Sequence, residues 1–255
     1  MLNEIIEIVK KAGEIYRSAG NDLGICEKSS SVDLVTKYDK KIQDFLYTEL
    51  KKVVPEAQLF GEEGDSNKEL TDGYCFIIDP IDGTTNFIKG FQHSAISVGL
   101  AKDKELIIGV VLDPDLNNLY YAEKGKGAFL NGKPIHVSDC DLKKSLVLFG
   151  TCPYEHELAH KTFKLTEDVF YKAIEVRRGG SAALDICYIA AGKADLYYEL
   201  IIRPWDWAGA TLILHEAGGI CTQVNGDELS LNKITSYVCG NKKNLKEFYE
   251  IYNAQ

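Results

Sequence analysis

The sequence predicts an α/β (α+β) protein built from two tightly joined subdomains. Short apolar segments separated by turns run from about residue 74 to residue 135, a pattern typical of antiparallel strands. Beyond residue 140, strand-length apolar segments alternate with helical patterns, which indicates an α/β arrangement. We therefore expect an N-terminal subdomain, 1–140, and a C-terminal subdomain, 141–255.

Two amphipathic helices precede the strands. Apolar residues recur at helical spacing over 5–19 and again over 38–50, where the helix should stop near Pro55 because proline cannot continue it. The connecting segment 21–32 is predicted to be a loop. The remaining predicted elements are strands at 74–78, 95–101, 106–112, 119–122, 146–149, 174–176 and 196–198, a hairpin at 129–135, and helices at 181–191, 205–217 and 244–252.

Composition excludes several classes of protein. The net charge of −9 over 255 residues disfavours a non-specific nucleic-acid binder, which needs a basic face. The seven cysteines form no C-x-x-C pair, so we expect buried, reduced thiols rather than a zinc or disulfide framework. No signal-peptide core or membrane-length apolar run is found, so the protein is expected to be soluble and cytoplasmic.

The segment DPIDGTTNF, 79–87, follows the first predicted strand and carries the strongest chemical signal. Pro80 is expected to end the strand, because it has no N–H to donate to a neighbour. Asp79 and Asp82 can then point toward one spot, with the Ile81 carbonyl between them. Such carboxylates repel one another unless a hard cation such as Mg²⁺ joins them. For the dipeptide Asp82-Gly83 taken alone, an ordinary Asp-Gly turn is the alternative.

Three other acids stand at the ends of predicted elements: Asp39, Glu62 in the segment 61–64, and Asp206. Each has an ordinary alternative as a first-turn helix acid, a solvated loop acid or a helix cap, respectively. Trp205 and Trp207 flank Asp206, which indicates that this carboxylate does not lie on an open surface.

Together these segments resemble the inositol monophosphatase family, part of a lithium-sensitive, metal-dependent group of sugar phosphatases. The resemblance covers most of the chain and is carried by residues 33–39, GEE at 61–63, DPIDGTTNF at 79–87 and WDWAGATLILHEAGG at 205–219. It implies a layered αβαβα sandwich, a site at the junction of the two halves, a dimer, and hydrolysis of a small phosphate monoester with two or three Mg²⁺ ions per site.

The resemblance also implies roles for individual residues. The implied metal ligands are Glu62, Asp79, the Ile81 carbonyl, Asp82 and Asp206. Asp39 would act with Thr84 to orient the attacking water, with Glu62 as a further catalytic carboxylate. The amides of Gly83 and Thr84 would hold the phosphate. Lys28 would lie in a loop over the site, and the segment 26–33 is expected to be more mobile than the helices beside it.

The substrate is predicted from residues of the second half. The resemblance implies that Ser181, Ala182, Glu199 and Asp206 contact an inositol ring, with Glu199 accepting hydrogen bonds from ring hydroxyls. A solvated strand end is the alternative for Glu199. A bisphosphate nucleotidase, a fructose-1,6-bisphosphatase and a regulatory binding protein remain as alternative functions. The five histidines are interpreted as structural or surface residues.

Overall fold

The computed structural model describes residues 1–28, 33–63, 69–153 and 155–254. The helices in these ranges are α1 Leu2–Arg17, α2 Lys37–Val53, α3 Thr84–Lys89, α4 Ala159–Phe170, α5 Ala182–Ala190, α6 Pro204–Glu216 and α7 Lys242–Tyr252, with short 3-10 turns at Leu142–Lys144 and His156–Leu158. The strands are β1 Cys26–Glu27, β2 Leu34–Val35, β3 Gln58–Gly61, β4 Tyr74–Asp82, β5 Ala95–Lys102, β6 Glu105–Asp113, β7 Asn118–Glu123, β8 Ala128–Leu130, β9 Lys133–Pro134, β10 Leu146–Phe149, β11 Glu175–Arg177, β12 Leu196–Ile202, β13 Ile220–Thr222 and β14 Thr235–Gly240.

The strands form two large sheets and one short ribbon. The first sheet has seven strands in the order β3-β4-β5-β6-β7-β8-β9 and is antiparallel except for the β3–β4 pair. The second sheet has five strands in the order β11-β10-β12-β14-β13, with β10 parallel to both of its neighbours. The ribbon joins β1 to β2. The first sheet draws only on residues 58–134 and the second only on residues 146–240.

Five layers follow from the packing of helices on these sheets. Helices α1 and α2 cover one face of the seven-stranded sheet, and α5 and α6 lie between the two sheets. Helices α4 and α7 pack on the outer face of the five-stranded sheet. This arrangement confirms the predicted layered αβαβα sandwich.

Strand β4 differs from its predicted form in a way that matters for the site. The strand does not end at Pro80 but runs on to Asp82, with a register shift between Asp79 and Asp82. Asp79 pairs with Ser97 and Asp82 pairs with Ala95, so two residues of β4 lie opposite one residue of β5. The expectation that proline stops the strand was wrong because Pro80 falls in the bulge, where no ladder donor is required.

Several other elements were missed from the sequence: α4, β1, β2, β3, β13 and β14. The segment predicted as a loop at 21–32 contains β1, while residues 29–32 lie outside the described residues. All seven cysteines are free thiols, but Cys26 is exposed and Cys140 and Cys221 are partly exposed, so the expectation of buried thiols holds for four. Across residues 1–28, 33–63, 69–153 and 155–254, no helix has the length and apolar character needed to cross a bilayer.

Candidate active site

The site is built on the β4 bulge. In a regular strand, side chains three positions apart face opposite sides of the sheet. The extra residue in the bulge changes this alternation, so Asp79 and Asp82, whose partners Ser97 and Ala95 are two positions apart, face the same side. Ile81 instead joins the apolar cluster beneath α1 and α2. The bulge therefore presents both carboxylates to the layer that contains α6.

Helix α6 brings the third carboxylate from the second half of the chain. Asp206 is the third residue of α6, and its Oδ2 accepts a hydrogen bond from the Arg203 amide at 2.9 Å. The helix approaches the first sheet closely, because a Cβ on Gly209 would lie only 2.9 Å from Ser97 Oγ. Trp205 and Trp207 are 5% and 2% exposed, which confirms that the segment around Asp206 is not an open surface.

Asp79, Asp82 and Asp206 converge on one point. Each offers a carboxylate oxygen, and these atoms all lie within 4.8 Å of one another. Burial, together with the charges of neighbouring acids, raises the pKa of Asp79 and of Asp206 well above the usual range. Burial is also the largest cause that raises the pKa of Asp82, to about 7. Oxygen donors that repel one another in a buried site fit a hard divalent cation such as Mg²⁺.

Asp82 is oriented by residues at the start of α5. Its Oδ2 accepts hydrogen bonds from Ser181 Oγ at 2.6 Å and from the Ala183 amide at 2.7 Å. Ser181 also caps α5 through the Leu184 amide. Ser181, predicted as a substrate contact, thus holds a carboxylate of the cluster, and Ala182 follows it as the first residue of α5.

Glu62 lies beside this cluster rather than inside it. Its charge is the second largest cause of the raised pKa of Asp79, after burial. In the described residues its Oε1 accepts a hydrogen bond from Lys28 Nζ at 2.8 Å, and Lys28 also contacts Glu63 Oε1. Burial opposes charging of Lys28, but attraction to the two glutamates outweighs it and raises the Lys28 pKa. The structure therefore brings together three of the four carboxylates predicted as ligands and pairs the fourth with Lys28.

Asp39 and Thr84 form the predicted pair. Thr84 Oγ1 lies 3.1 Å from Asp39 Oδ1 and 3.0 Å from the Ile81 carbonyl, so its single proton can be donated to either oxygen. Asp39 is fully buried, and its Oδ2 accepts from the amide and the hydroxyl of Thr36 in the capping box of α2. Asp39 is thus both a helix cap and a neighbour of Thr84.

Gly83 occupies a position that a side chain could not take. Its φ of 88° lies in the left-handed region, and an added Cβ would meet the Gly180 carbonyl at 2.9 Å. Gly83 directly precedes α3, which begins at Thr84. The Gly83 backbone therefore lies close against the Gly180 segment, which belongs to the later half of the chain.

Sequence reasoning missed a buried pair behind Gly83. His93 Nε2 lies 3.0 Å from Asp185 Oδ1, and burial is the largest cause that raises the pKa of Asp185. Asn86 Nδ2 donates to the carbonyls of His93 and Gly179. The interpretation of His93 as structural fits these contacts. The one feature of the sequence that could have pointed to these contacts is that Asn86 belongs to the 79–87 segment.

Glu199 does not form a solvated strand end. Its carboxylate is half-buried, accepts from Tyr197 Oη at 2.6 Å and from the Cys152 amide at 2.9 Å, and burial raises its pKa. The charge of Glu199 contributes to the raised pKa of Asp206. The carboxylate is therefore part of the acidic site.

The fold and the cluster define this chain as an α+β protein with a carboxylate centre suited to a divalent cation. Comparison with known proteins identifies its family. The profile of the inositol monophosphatase family matches residues 1–254. "Inositol monophosphatase 3" of Solanum lycopersicum is 40% identical over 236 residues, which are 90% of this chain and 88% of the relative. The chain belongs to the inositol monophosphatase family and is a phosphatase.

Solved structures agree with this family. The Thermotoga maritima IMPase superposes with a TM-score of 0.87 at 31% identity and covers 98% of this chain and 95% of its own. SaIMPase-II with bound inositol monophosphate gives a TM-score of 0.81 at 27% identity, covering 96% of this chain and 90% of its own. A second structure of SaIMPase-II, with bound 2'AMP, gives a TM-score of 0.83 at 28% identity. The match covers 96% of this chain and 91% of the SaIMPase-II chain. The fold prediction and the family prediction are confirmed.

Proposed function

We propose that this phosphatase hydrolyses myo-inositol monophosphate with Mg²⁺ held by Asp79, Asp82, Asp206 and the Ile81 carbonyl, with Glu62 as a further ligand. The observation that supports the metal site is the convergence of three carboxylates, two buried and one half-buried, whose oxygens lie within 4.8 Å of one another. Bound Mg²⁺ would activate water and stabilise the leaving oxygen. The number of ions remains a prediction.

The residues of the chain have separate tasks in this proposal. Asp39 and Thr84 orient a water molecule, because the buried carboxylate can accept a proton that the threonine hydroxyl relays. The Gly83 and Thr84 amides bind the phosphate, as the family resemblance implies. Glu62 would contribute a carboxylate oxygen to the cation, and its Oε1, which now accepts from Lys28 Nζ at 2.8 Å, would be free to do so if Lys28 moved away from it. Lys28 afterwards remains over the site as a cation for the phosphate, with residues 29–32 outside the described structure.

A polyol is favoured as substrate because of Glu199. A carboxylate with two protein donors still has lone pairs for two further hydrogen bonds, which suits adjacent hydroxyls of a ring. Ser181, Ala182 and Asp206 would line the same ring. The alternative with a specific observation in its favour is a nucleotide phosphatase, since SaIMPase-II has been solved with 2'AMP bound.

The test is phosphate release from myo-inositol 1-phosphate, glycerol 2-phosphate, fructose 1,6-bisphosphate, 2'AMP and adenosine 3',5'-bisphosphate, each with Mg²⁺ and with EDTA. We expect the highest kcat/KM for the inositol ester and no release in EDTA. A preference for either nucleotide would move the assignment to the nucleotidase alternative. Binding without release from any ester would favour the regulatory alternative.

Glu199→Gln gives a second, internal test. Loss of a charged acceptor costs about 1.5–3 kcal/mol, or roughly one to two decades in kcat/KM for the inositol ester. p-Nitrophenyl phosphate has no ring hydroxyl, so its turnover should change little. Equal losses on the two esters would show that Glu199 does not contact the polyol.

The cytoplasmic location, the dimeric state and the functional division into 1–140 and 141–255 also belong to this proposal. In that division the first half supplies most ligands, and the second half supplies Asp206 and the substrate contacts.

A further inference from the structure

The Glu199 carboxylate is fixed from three sides. Tyr197 Oη donates to Oε2 at 2.6 Å, and the Cys152 amide donates to Oε1 at 2.9 Å. On the third side lies Gly150, where an added Cβ would overlap the Glu199 carboxyl group. Each carboxylate oxygen therefore has one protein donor and little freedom to move.

The two donors come from different surroundings. Tyr197 is only 1% exposed, and its ring packs against Tyr237 with centroids 6.2 Å apart. The Tyr237 hydroxyl in turn shares a hydrogen bond with Thr211 of α6 at 2.7 Å. Cys152 has a φ of 39°, a left-handed conformation that non-glycine residues seldom adopt, while its amide donates to Glu199. Tyr197 is thus held by packing, and the Cys152 amide reaches Glu199 from an uncommon backbone conformation.

We propose that Tyr197 is a positioning residue that determines polyol specificity by fixing the orientation of the Glu199 carboxylate. This inference rests on the proposed function of Glu199 as a ring-hydroxyl acceptor. An ionised carboxylate offers about four acceptor sites, of which Tyr197 and Cys152 occupy two. The two acceptor sites that remain keep a constant direction. Little conformational entropy is therefore lost when a substrate with two adjacent hydroxyls binds to them. Without the tyrosine hydroxyl, the carboxylate can rotate and its hydrogen bonds to the diol weaken.

Strand β12 supplies a matched control in the next residue. Tyr198 is also fully buried, but it faces the other side of the sheet, where its hydroxyl donates to Thr166 Oγ1 at 2.8 Å. Tyr197→Phe and Tyr198→Phe each remove one hydroxyl and one buried hydrogen bond from the same strand. A general loss of stability should therefore be similar for both variants, whereas only Tyr197→Phe changes the surroundings of Glu199.

The experiment compares kcat and KM of both variants on myo-inositol 1-phosphate and p-nitrophenyl phosphate, with Mg²⁺ present. For Tyr197→Phe we expect KM for the inositol ester to rise about tenfold with kcat nearly unchanged, since uniform binding is lost. Its kinetics on p-nitrophenyl phosphate should stay within about twofold. Tyr198→Phe should match the wild type on both esters. Equal effects of Tyr197→Phe on the two esters, or the same inositol-specific effect from Tyr198→Phe, would overturn the proposal.

A double-mutant cycle with Glu199→Gln adds an independent measurement. If Tyr197 acts through Glu199, Tyr197→Phe should have no further effect on KM for the inositol ester in the Glu199→Gln background. Fully additive effects would contradict the proposal. A wild type that does not prefer the inositol ester over p-nitrophenyl phosphate would contradict the proposed function itself. A wild type that prefers it, with an unaffected Tyr197→Phe variant, would contradict only the role of Tyr197.

Discussion

Asp82→Asn will lower phosphate release by at least on the order of a thousandfold, since metal-based charge stabilisation is worth several kcal/mol and each 1.36 kcal/mol is a factor of ten. The fold should survive. The asparagine Oδ1 can replace the carboxylate oxygen that accepts from Ser181 and Ala183. The amide nitrogen then occupies the other position, and it cannot serve as a ligand for Mg²⁺.

Asp113→Asn is the matched control for this variant. Asp113 is also buried, and its Oδ1 accepts from the amides of Asp115 and Leu116, a role that an asparagine oxygen can keep. It does not belong to the converging carboxylates. We expect this control to retain activity. Metal-free Asp82→Asn should unfold at the same temperature as the metal-free wild type or higher, because one repelling charge is gone. Near-normal turnover by Asp82→Asn would remove Asp82 from the metal site.

Mg²⁺ will stabilise the protein strongly at pH 8 and weakly at pH 5. The pKa values of Asp79, Asp82 and Asp206 are raised in the folded protein, with Asp82 at about 7. At these three carboxylates the folded chain therefore binds more protons than the unfolded chain. Their contribution to the stability of the metal-free protein is fully present at low pH and is lost as the pH rises through the folded pKa values. Mg²⁺ competes with these protons, so its contribution to stability grows over the same range.

The measurement is thermal unfolding with saturating Mg²⁺ and with EDTA at both pH values. At a free Mg²⁺ concentration of 100 Kd the gain is about 2.7 kcal/mol, which corresponds to roughly 5–10 °C for a protein of this size. We expect that shift at pH 8 and a much smaller one at pH 5. Asp82→Asn should show little shift at either pH. A Mg²⁺-induced shift that does not depend on pH would mean that the buried carboxylates are not the ions' ligands.

Helices could be predicted from the sequence where apolar spacing is regular, as in α2, and where the segment is apolar almost throughout, as in α6. Helix α2 has regular apolar spacing and a Thr36–Asp39 capping box, and its predicted position is close to the observed one. Helix α4 was missed because it leaves Phe163 and Phe170 exposed, so its apolar residues do not mark a single buried face. Strand β14 is short, and long-range pairing with β12 and β13 stabilises it.

The same contrast applies to the site. Asp79, Asp82 and Asp206 stand in specific local segments, so their convergence could be expected from the family resemblance. The bulge could not be expected, because pairing of β4 with β5 determines it and Pro80 gave the opposite signal. Nor could the partners of Glu199 be found. Cys152 reaches it only through the tertiary fold, whereas Tyr197 lies two positions away on the same strand and is distinguished only by the direction of its hydroxyl.

Asp206 lies more than a hundred residues after Asp79 and Asp82 in the sequence, and this separation affects when the site can form during synthesis. Two carboxylates of the cluster are in place once the first sheet has formed, but the third belongs to a helix near the end of the chain. Contacts between such distant parts of a sequence form late in folding, because the loop between them must first be closed. A nascent chain that lacks α6 would carry Asp79 and Asp82 without the helix that covers them and without their third partner. Tight binding of Mg²⁺ would then become possible only when folding is complete. Measuring it would show that α6 and the two sheets have packed together.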